Sequence, residues 1–122
     1  MDYSISQVAE QTGLSVHTLR FYDREGLIPE VHRVNGRRRY TDADLRWIRI
    51  LCCLKSTGMP LNDIKQYVEL CKRGDETLTQ RRAMILKQRE IVTKQIEALK
   101  EPLRAIEHKI AYYDEATTIT CE

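Results

Sequence analysis

The chain has 122 residues, of which 42% are hydrophobic and 31% charged, and its formal net charge is +2. This length suits one domain or a small domain with an arm, and no run of about 18 apolar residues could form a transmembrane helix. The N-terminus lacks the basic-then-apolar order of a signal peptide, so we expect a cytoplasmic protein with no membrane partner. The small net charge does not indicate nucleic-acid binding, but the segment from Arg33 to Arg39 holds four arginines and no acid, which makes a local basic cluster.

Two short helices are predicted near the N-terminus. The first runs from Ser4 to Thr12, with Ser4 or Ser6 as its candidate N-cap, and stops at Gly13. The second follows Ser15, a good N-cap, and ends at Gly26. Joined by a short turn, they form a helix-turn-helix. The second helix presents polar residues just before the basic cluster, an arrangement typical of proteins that bind duplex DNA. We therefore predict that this second helix is a DNA recognition helix.

A hairpin is predicted between Leu27 and Tyr40, where polarity alternates weakly. This segment contains Asn35-Gly36, the strongest short hairpin signal. We therefore expect a small two-stranded wing with Asn35-Gly36 at its tip and the arginines of the basic cluster beside it.

Two further helices are predicted after the hairpin. Thr41 and Asp44 resemble a capping box, and the helix from Asp42 to about Ser56 is expected to bury Leu45, Ile48, Leu51 and Cys52. Pro60 is expected at the first position of the next helix, which Gly74 stops. The apolar residues of that helix are Leu61, Ile64, Tyr67, Val68 and Cys71.

The last element is predicted to be one long helix from about Glu76 to Tyr113. Apolar residues recur along it every seven residues, and a second set fills the alternate position after Val92, as in a coiled coil. The residues of this heptad seam are Leu78, Ile85, Val92, Ile96, Leu99, Leu103, Ile106, Ile110 and Tyr113. A domain this small cannot cover so long a seam, so we expect the same helix of a second chain as its partner.

Pro102 lies off the heptad seam but removes one backbone hydrogen bond, which predicts a kink or break near residues 98–102. The alternative to a long helix is a helical hairpin within one chain.

We predict a mainly α fold in three parts. A winged helix-turn-helix DNA-binding domain occupies residues 1–74, a long coiled-coil dimerisation helix at 75–113 pairs through residues 76–113, and a flexible tail follows at 114–122.

Four stretches resemble the MerR family of bacterial transcription regulators in order and spacing, over most of residues 4–72. They are Ser4-Ile5-Ser6-Gln7-Val8-Ala9, Thr18-Leu19-Arg20-Phe21-Tyr22-Asp23 through Gly26-Leu27-Ile28-Pro29, Arg38-Arg39-Tyr40-Thr41-Asp42 with Asp44-Leu45, and Lys55 to Ile64. The resemblance implies a homodimer, joined through antiparallel long helices, that binds a near-palindromic double-stranded promoter site in the nucleoid. Such regulators occupy an overlong promoter spacer and distort it when activated, so that RNA polymerase engages both promoter elements.

The resemblance also implies DNA contacts. Arg20 and Tyr22 match residues that hold the DNA backbone, Arg38 matches an arginine of the wing, and Lys55 matches a phosphate-binding lysine. His17 and Phe21 replace the commoner Arg and Tyr of the family. The complete set of candidate DNA-binding residues is Ser15, His17, Thr18, Arg20, Phe21, Tyr22, Arg37, Arg38, Arg39 and Lys55.

Three of these positions have simpler alternatives. Tyr22 could be a packed core aromatic, and Arg37 to Arg39 could be a solvated charge run. Tyr40, at the base of the wing, is expected to pack rather than to contact DNA.

The chain has four cysteines, and none has zinc-ribbon spacing. The stretch around Cys53 resembles a branch of the family that senses reactive aldehydes or nitrosative and oxidative stress. Cys53 lies about 100° around the helix from Cys52, toward Arg49 and Lys55, and nearby cations favour the reactive thiolate. We take Cys53 and Cys71 as candidate sensor thiols, with an inert Cys53 or a disulfide between the two as alternatives.

Two other functions stay open. One is a metal-responsive regulator of the same family, although the usual first cysteine position falls here in Asp75-Glu76-Thr77 and only Cys121 follows. The other is a coiled-coil adaptor whose N-terminal domain binds proteins. We expect no enzyme, cofactor or metal site, because the sequence shows no nucleophile–base pair, phosphate-binding glycine loop or metal-ligand cluster.

Overall fold

The computed structural model describes residues 2–29 and 33–120. In chain order its elements are α1 (Ile5–Thr12), α2 (Val16–Arg24), β1 (Arg33–Val34), β2 (Arg37–Arg38), α3 (Asp42–Ser56), α4 (Leu61–Lys72), a short 3-10 helix (Asp75–Thr77) and α5 (Leu78–Thr120). This is the mainly α fold predicted from the sequence, with a helix-turn-helix, a wing and one long helix. Within the described residues, no helix combines the length and apolarity needed to cross a membrane.

The chain divides into two compact units, an N-terminal unit that ends at Arg81 and a C-terminal unit that begins at Arg82. The N-terminal unit contains the apolar core. Its buried side chains come from every helix up to α4 and from the segments around the wing, and they are Val8, Leu19, Tyr22, Leu27, Ile28, Tyr40, Leu45, Ile48, Leu51, Leu54, Met59, Ile64 and Val68.

Helix α3 corrects one predicted core residue. Its buried positions, Leu45, Ile48, Leu51 and Leu54, recur every third residue. Three residues complete only about 300° of a helical turn, so the buried face drifts around the helix. Cys52 is therefore left at the edge of this face and is half-buried, whereas the sequence pattern placed it in the core.

Side-chain caps begin three of the helices where the sequence predicted them. Ser4 Oγ accepts from the Gln7 amide at 3.2 Å, and Ser15 Oγ accepts from the Thr18 amide at 3.0 Å. Thr41 begins α3 with a full capping box. Each cap satisfies a helix N–H that has no partner in the helix itself.

Two details of the turns follow from backbone geometry. Asn35 and Gly36 have φ of 53° and 77°, the left-handed conformation that a two-residue hairpin turn requires.

Pro60 is the N-cap of α4, with a φ of −60°, whereas the sequence predicted it as the first helical residue. Both the N-cap and the first helical position suit proline, which lacks a backbone N–H, because the first N–H groups of a helix have no partner in the helix.

Helix α4 is tied to the end of α2 by two lysines. Lys65 Nζ donates to Glu25 Oε2 at 2.8 Å, and Lys72 Nζ donates to the carbonyl oxygen of Gly26 at 3.1 Å. These bonds connect the last turn before the wing to the helix that leads to α5.

Trp47 of α3 joins the same region. Its Nε1 donates to the carbonyl oxygen of Leu27 at 2.7 Å, and its ring stacks on that of Tyr67 in α4 with centroids 6.4 Å apart. The only tryptophan of the sequence therefore connects the end of the recognition helix to α4.

A buried hydroxyl organises the passage from α4 to α5. Thr77 is completely buried, and the carbonyl oxygens of Leu70 and Gly74, 2.6 and 2.8 Å from its Oγ1, share its single hydroxyl proton. Arg81 Nε donates to the same Oγ1 at 3.0 Å. The hydroxyl thus satisfies carbonyls at the end of α4 and anchors the first turn of α5.

Helix α5 is one continuous helix of 43 residues that includes Pro102. The helix therefore has no break at residues 98–102, one of the two predicted outcomes, because proline removes only a single backbone hydrogen bond. The predicted kink stays a prediction. A helical hairpin within the chain is excluded. The tail predicted from residue 114 is helical as far as Thr120, and the last two residues of that tail lie outside the described part.

Most of the heptad seam of α5 is exposed. The exposed side chains range from 39% at Ile85 to 66% at Leu99, whereas Val92 is half-buried. The buried core of the N-terminal unit contains none of them.

Candidate nucleic-acid interface

Helix α2 presents one polar face and one buried face. Ser15, His17 and Arg20 are exposed, and Thr18 is half-buried, whereas Leu19 on the opposite face is completely buried. Ser15 Oγ also donates to Thr18 Oγ1 at 2.9 Å. The polar groups at the N-terminal end of α2 are therefore held in place by their own cap while remaining accessible.

Tyr22 and Lys55, two of the predicted DNA-binding residues, lie together because the lysine ammonium rests over the tyrosine ring. Tyr22 is only 4% exposed, so it is a core aromatic, as the alternative interpretation expected. Lys55 Nζ lies 5.6 Å from the centre of the Tyr22 ring, within the range of a cation–π interaction. Tyr22 thus positions Lys55, an exposed residue near the end of α3, beside the recognition helix. Phe21, the neighbouring candidate, is half-buried and contacts Tyr22 at a ring separation of 6.1 Å.

The wing, residues 33–38, carries its arginines in different environments. Arg33 and Arg37 are exposed, and Arg33 Nη1 donates to the carbonyl oxygen of Gly36 at 3.2 Å. Arg38 is half-buried and forms an ion pair with Asp23 of α2. Arg38 and Arg33 are directly opposed in the hairpin register.

The base of the wing is tied to the N-terminal segment. Tyr3 and Tyr40 exchange two backbone hydrogen bonds, of 2.7 and 2.8 Å, and Arg39 Nη2 donates to the carbonyl oxygen of Asp2 at 3.3 Å. Tyr3 donates its hydroxyl to Asp42 Oδ1 at 2.7 Å. This hydrogen bond lowers the pKa of Asp42 and raises that of Tyr3.

Tyr40 packs at the wing base, as expected, and is completely buried. Burial raises the pKa of Tyr40, and the nearby Arg38 guanidinium opposes that shift. Tyr40 is therefore part of the platform under the wing and not a group that reaches a ligand.

A concave groove of about 690 Å³ runs between α2 and the wing. Its lining includes six arginines and one acid, Asp23, and reaches the start of α1. The complete lining is Ser4, Ile5, Ser6, Arg20, Asp23, Arg24, Arg33, Gly36, Arg37, Arg38, Arg39 and Tyr40. Such a surface suits a polyanion, because arginine guanidinium groups bind phosphate oxygens through charge-assisted hydrogen bonds.

Sequence reasoning missed part of this groove. Arg24, Arg33, Asp23 and the start of α1 were not among the candidates. Arg33 was visible in the basic cluster, whereas the position of Asp23 depends on the folding of the wing against α2. Lys55 does not line the groove but lies beside it, over the Tyr22 ring.

The three described cysteines are free thiols, and Cys53 is exposed whereas Cys52 and Cys71 are half-buried. A Cys53–Cys71 disulfide is not formed. Burial raises the pKa of Cys52, and the charge of Lys55 partly opposes this rise. Burial is the main cause of the raised pKa of Tyr67, and the neighbouring Cys71 raises that pKa further. Cys121 lies outside the described residues.

Among residues 2–29 and 33–120, no three histidine, cysteine or acidic side chains are grouped in a way that could hold a metal ion. Thr77, in the segment where the family resemblance placed the first cysteine of a metal sensor, uses its hydroxyl within the chain.

Comparison with known proteins agrees with this geometry. A family model described as MerR HTH family regulatory protein matches residues 3–71, and a second, described as MerR, DNA binding, matches residues 45–111. An uncharacterised HTH-type transcriptional regulator from Haemophilus influenzae is 45% identical over 120 residues, which cover 98% of this chain and 89% of the relative.

Two further relatives bear on the interface. A crystal structure of HiNmlR, described as a MerR family regulator lacking the sensor domain and bound to promoter DNA, superposes with a TM-score of 0.89 at 45% identity, over 98% of this chain and 91% of that one. The transcriptional regulator AdhR of Bacillus subtilis is 38% identical over 88 residues, covering 71% of this chain and 63% of AdhR.

Proposed function

Since this chain belongs to the MerR family of DNA-binding transcription regulators, we propose that it binds a near-palindromic promoter site as a homodimer and distorts an overlong spacer. It is a regulator and not an enzyme. The observation that carries the proposal is the arginine-lined groove between α2 and the wing. The similar HiNmlR, which is described as bound to promoter DNA, supports the same ligand for this groove.

The exposed heptad seam supports the homodimer. Burying one large aliphatic side chain contributes about 1.5–3 kcal/mol, and a contiguous apolar surface of this length marks an interface. An antiparallel pair of α5 helices would give two recognition surfaces a fixed separation. Two half-sites at a fixed spacing are then required in the DNA.

Spacer distortion follows from that rigid spacing. Bending or untwisting a promoter spacer costs on the order of 1–6 kcal/mol, an energy that contacts by two DNA-binding surfaces can offset. RNA polymerase is then the second protein on the promoter, and it initiates when both promoter elements are aligned.

Promoter binding is tested by fluorescence anisotropy with the promoter upstream of the gene and with a scrambled duplex, across a salt series. We expect tighter binding to the promoter and steep weakening with salt, since each neutralised phosphate contributes about 0.9 to the slope of log Kd against log salt. Binding to a protein ligand alone, independent of salt, would instead identify a coiled-coil adaptor.

Spacer distortion is tested by transcription in vitro with RNA polymerase. The protein should activate a promoter with the native overlong spacer, and it should lose this effect when the spacer is shortened to the optimal length. Activation of both promoters to the same degree would exclude distortion as the mechanism.

We further propose that the signal is a reactive aldehyde, or alternatively an oxidative or nitrosative species, that modifies Cys53. This thiol is exposed, and it lies two residues before Lys55, whose ammonium rests over the ring of Tyr22 in the recognition helix. A thiolate that adds to an aldehyde forms a carbon–sulfur bond, and the carbonyl oxygen takes up a proton to give a hemithioacetal. The added group would press on the end of α3 and displace Lys55 from Tyr22.

The thiol proposal is tested with a promoter reporter and three single variants, Cys53→Ser, Cys52→Ser and Cys71→Ser. Cys53→Ser should retain DNA binding and lose the response to an added aldehyde, whereas the Cys52 variant should respond normally. A normal response in Cys53→Ser together with a lost response in Cys71→Ser would assign the signal to Cys71.

A further inference from the structure

The wing is too small to fix its own position. Each of its strands has two residues, and an isolated two-stranded hairpin is marginally stable at best in water. Contacts at its base must therefore decide how it meets DNA.

One side of this base is held by the N-terminal segment, through the Tyr3–Tyr40 backbone pair and the bond from Arg39 to Asp2. The other side is held by Arg38, whose guanidinium pairs with the Asp23 carboxylate of α2. In the described part of the chain, this ion pair is the polar contact that joins the wing to the recognition helix. Its position therefore governs the distance between the two DNA-binding elements.

Asp23 is an unfavourable residue for its position in three respects. It lies in the last turn of α2 (Val16–Arg24), where a negative charge opposes the helix dipole. Aspartate is a poor helix former compared with alanine. It is also the one acid in a groove lined by six arginines, where its charge repels DNA phosphates. An acid with these costs is expected to serve a compensating contact, and the contact present is Arg38.

The two charges are partly withdrawn from water. The side chains of Arg38 and Asp23 are 28% and 22% exposed, so their attraction is stronger than that of a fully solvated surface pair. The carboxylate also raises the pKa of Arg38. Arg37, the neighbouring arginine, is exposed instead.

We propose that Asp23 is a positioning residue for DNA recognition. Its ion pair with Arg38, called the staple below, holds the wing against α2. The exposed Arg33 and Arg37 supply the phosphate-binding charge of the wing. This inference rests on the proposed DNA-binding function. It gives Arg38 a partner inside the protein, whereas the family resemblance implied a contact with DNA.

The decisive variant is Asp23→Ala, because simple electrostatics and the staple predict opposite changes in the affinity for promoter DNA. Removing an acid from a DNA-binding groove should tighten binding if its charge is all that matters. The staple predicts roughly fivefold weaker binding to promoter DNA, which corresponds to a coupling of about 1 kcal/mol. The matched control is Glu25→Ala, which removes a neighbouring acid that pairs with Lys65 of α4 and should not weaken binding.

A double-mutant cycle and a conservative variant sharpen this test. Arg38→Ala should weaken binding as much as Asp23→Ala, and the double variant should be no weaker than either single variant. Asp23→Glu, which keeps a carboxylate, should recover part of the affinity. Additive losses in the double variant, or tighter binding by Asp23→Ala, overturn the proposal.

Salt dependence separates the two arginines. Arg37→Ala should reduce the slope of log Kd against log salt by about 0.9, whereas Arg38→Ala should leave the slope unchanged. A slope reduced by a full phosphate equivalent in Arg38→Ala would make Arg38 a direct DNA contact and overturn the proposal.

Hydrogen exchange in the free protein tests the staple without DNA. Asp23→Ala should speed exchange of the wing amides and leave those of α4 unchanged; unchanged wing exchange counts against the staple. Failure of the wild-type protein to bind any duplex would refute the proposed function, but it would leave this measurement of the staple valid.

Discussion

The two units of this protein use the same aliphatic residues in opposite ways. In the N-terminal unit, Val8, Leu19 and Ile48 are completely buried. In the C-terminal unit, Leu99 and Ile106 are 66% and 58% exposed. The first unit therefore obtains its hydrophobic stabilisation from its own core, whereas most of the large aliphatic side chains of the second stay exposed in the single chain.

Their polar contacts differ in the same way. Two ion pairs of the N-terminal unit join separate elements, Arg38 with Asp23 and Lys65 with Glu25, in addition to local pairs near the end of α4. Those of the C-terminal unit are local pairs three or four residues apart, such as Lys94 with Glu90 and Lys100 with Glu97. Each local pair stabilises a helix by only about 0.2–0.5 kcal/mol, which leaves the seam as the main determinant of how α5 is held.

The largest effect is expected from a charge in the seam. Leu99→Glu should convert a dimer into a monomer and weaken promoter binding by about 100- to 10,000-fold, because the second recognition surface is no longer held close to the DNA. Light scattering after gel filtration measures the oligomeric state, and anisotropy measures the affinity. Ala98→Glu, about 100° around the helix, is the control, and equal losses in both variants would contradict a seam-mediated dimer.

A smaller effect should separate the two kinds of aliphatic residue. Ile48→Ala removes a completely buried side chain and should lower the free energy of unfolding by about 2–5 kcal/mol. Ile50 lies two residues further along α3 and is 44% exposed. Ile50→Ala should therefore change the free energy of unfolding by less than about 0.5 kcal/mol. Urea denaturation measures both, and similar losses would contradict the assignment of the core.

The smallest effect concerns the junction of α4 with α5. Thr77→Val keeps the shape of the side chain but leaves the Leu70 and Gly74 carbonyls without the hydroxyl proton, which should cost about 1–3 kcal/mol in unfolding free energy. Thr93→Val loses a similar bond, to the Arg89 carbonyl at 2.8 Å, on an exposed surface. That control should change the free energy of unfolding by less than about 0.5 kcal/mol. An equally small change in Thr77→Val would show that the hydroxyl does not stabilise this junction.

Features with a local physical cause could be predicted from the sequence. The caps at Ser4, Ser15 and Thr41, the turn at Asn35-Gly36 and the bounds of α3 all depend on residues within one turn of each other. The family resemblance added the approximate place of the proposed DNA-binding surface, at α2 and the wing.

Features that depend on tertiary contact could not be predicted. Asp23 and Arg38 are separated by a turn and a hairpin, and no periodicity links them. The burial of Thr77 depends on how α4 ends, and the half-burial of Cys52 depends on the drift of the buried face along α3. The continuation of α5 through Pro102 could not be predicted either, because one lost hydrogen bond does not decide whether a long helix breaks.

Trp47 makes the junction of the recognition helix with α4 visible to an optical measurement without a label. It is the single tryptophan, its indole nitrogen is bonded to Leu27, and its ring lies on Tyr67. Six residues of α3, about 9 Å at 1.5 Å per residue, separate it from Cys53. Its emission in the unmodified protein, with DNA and after thiol modification would therefore report, in real time, whether a chemical event on α3 reaches the end of α2.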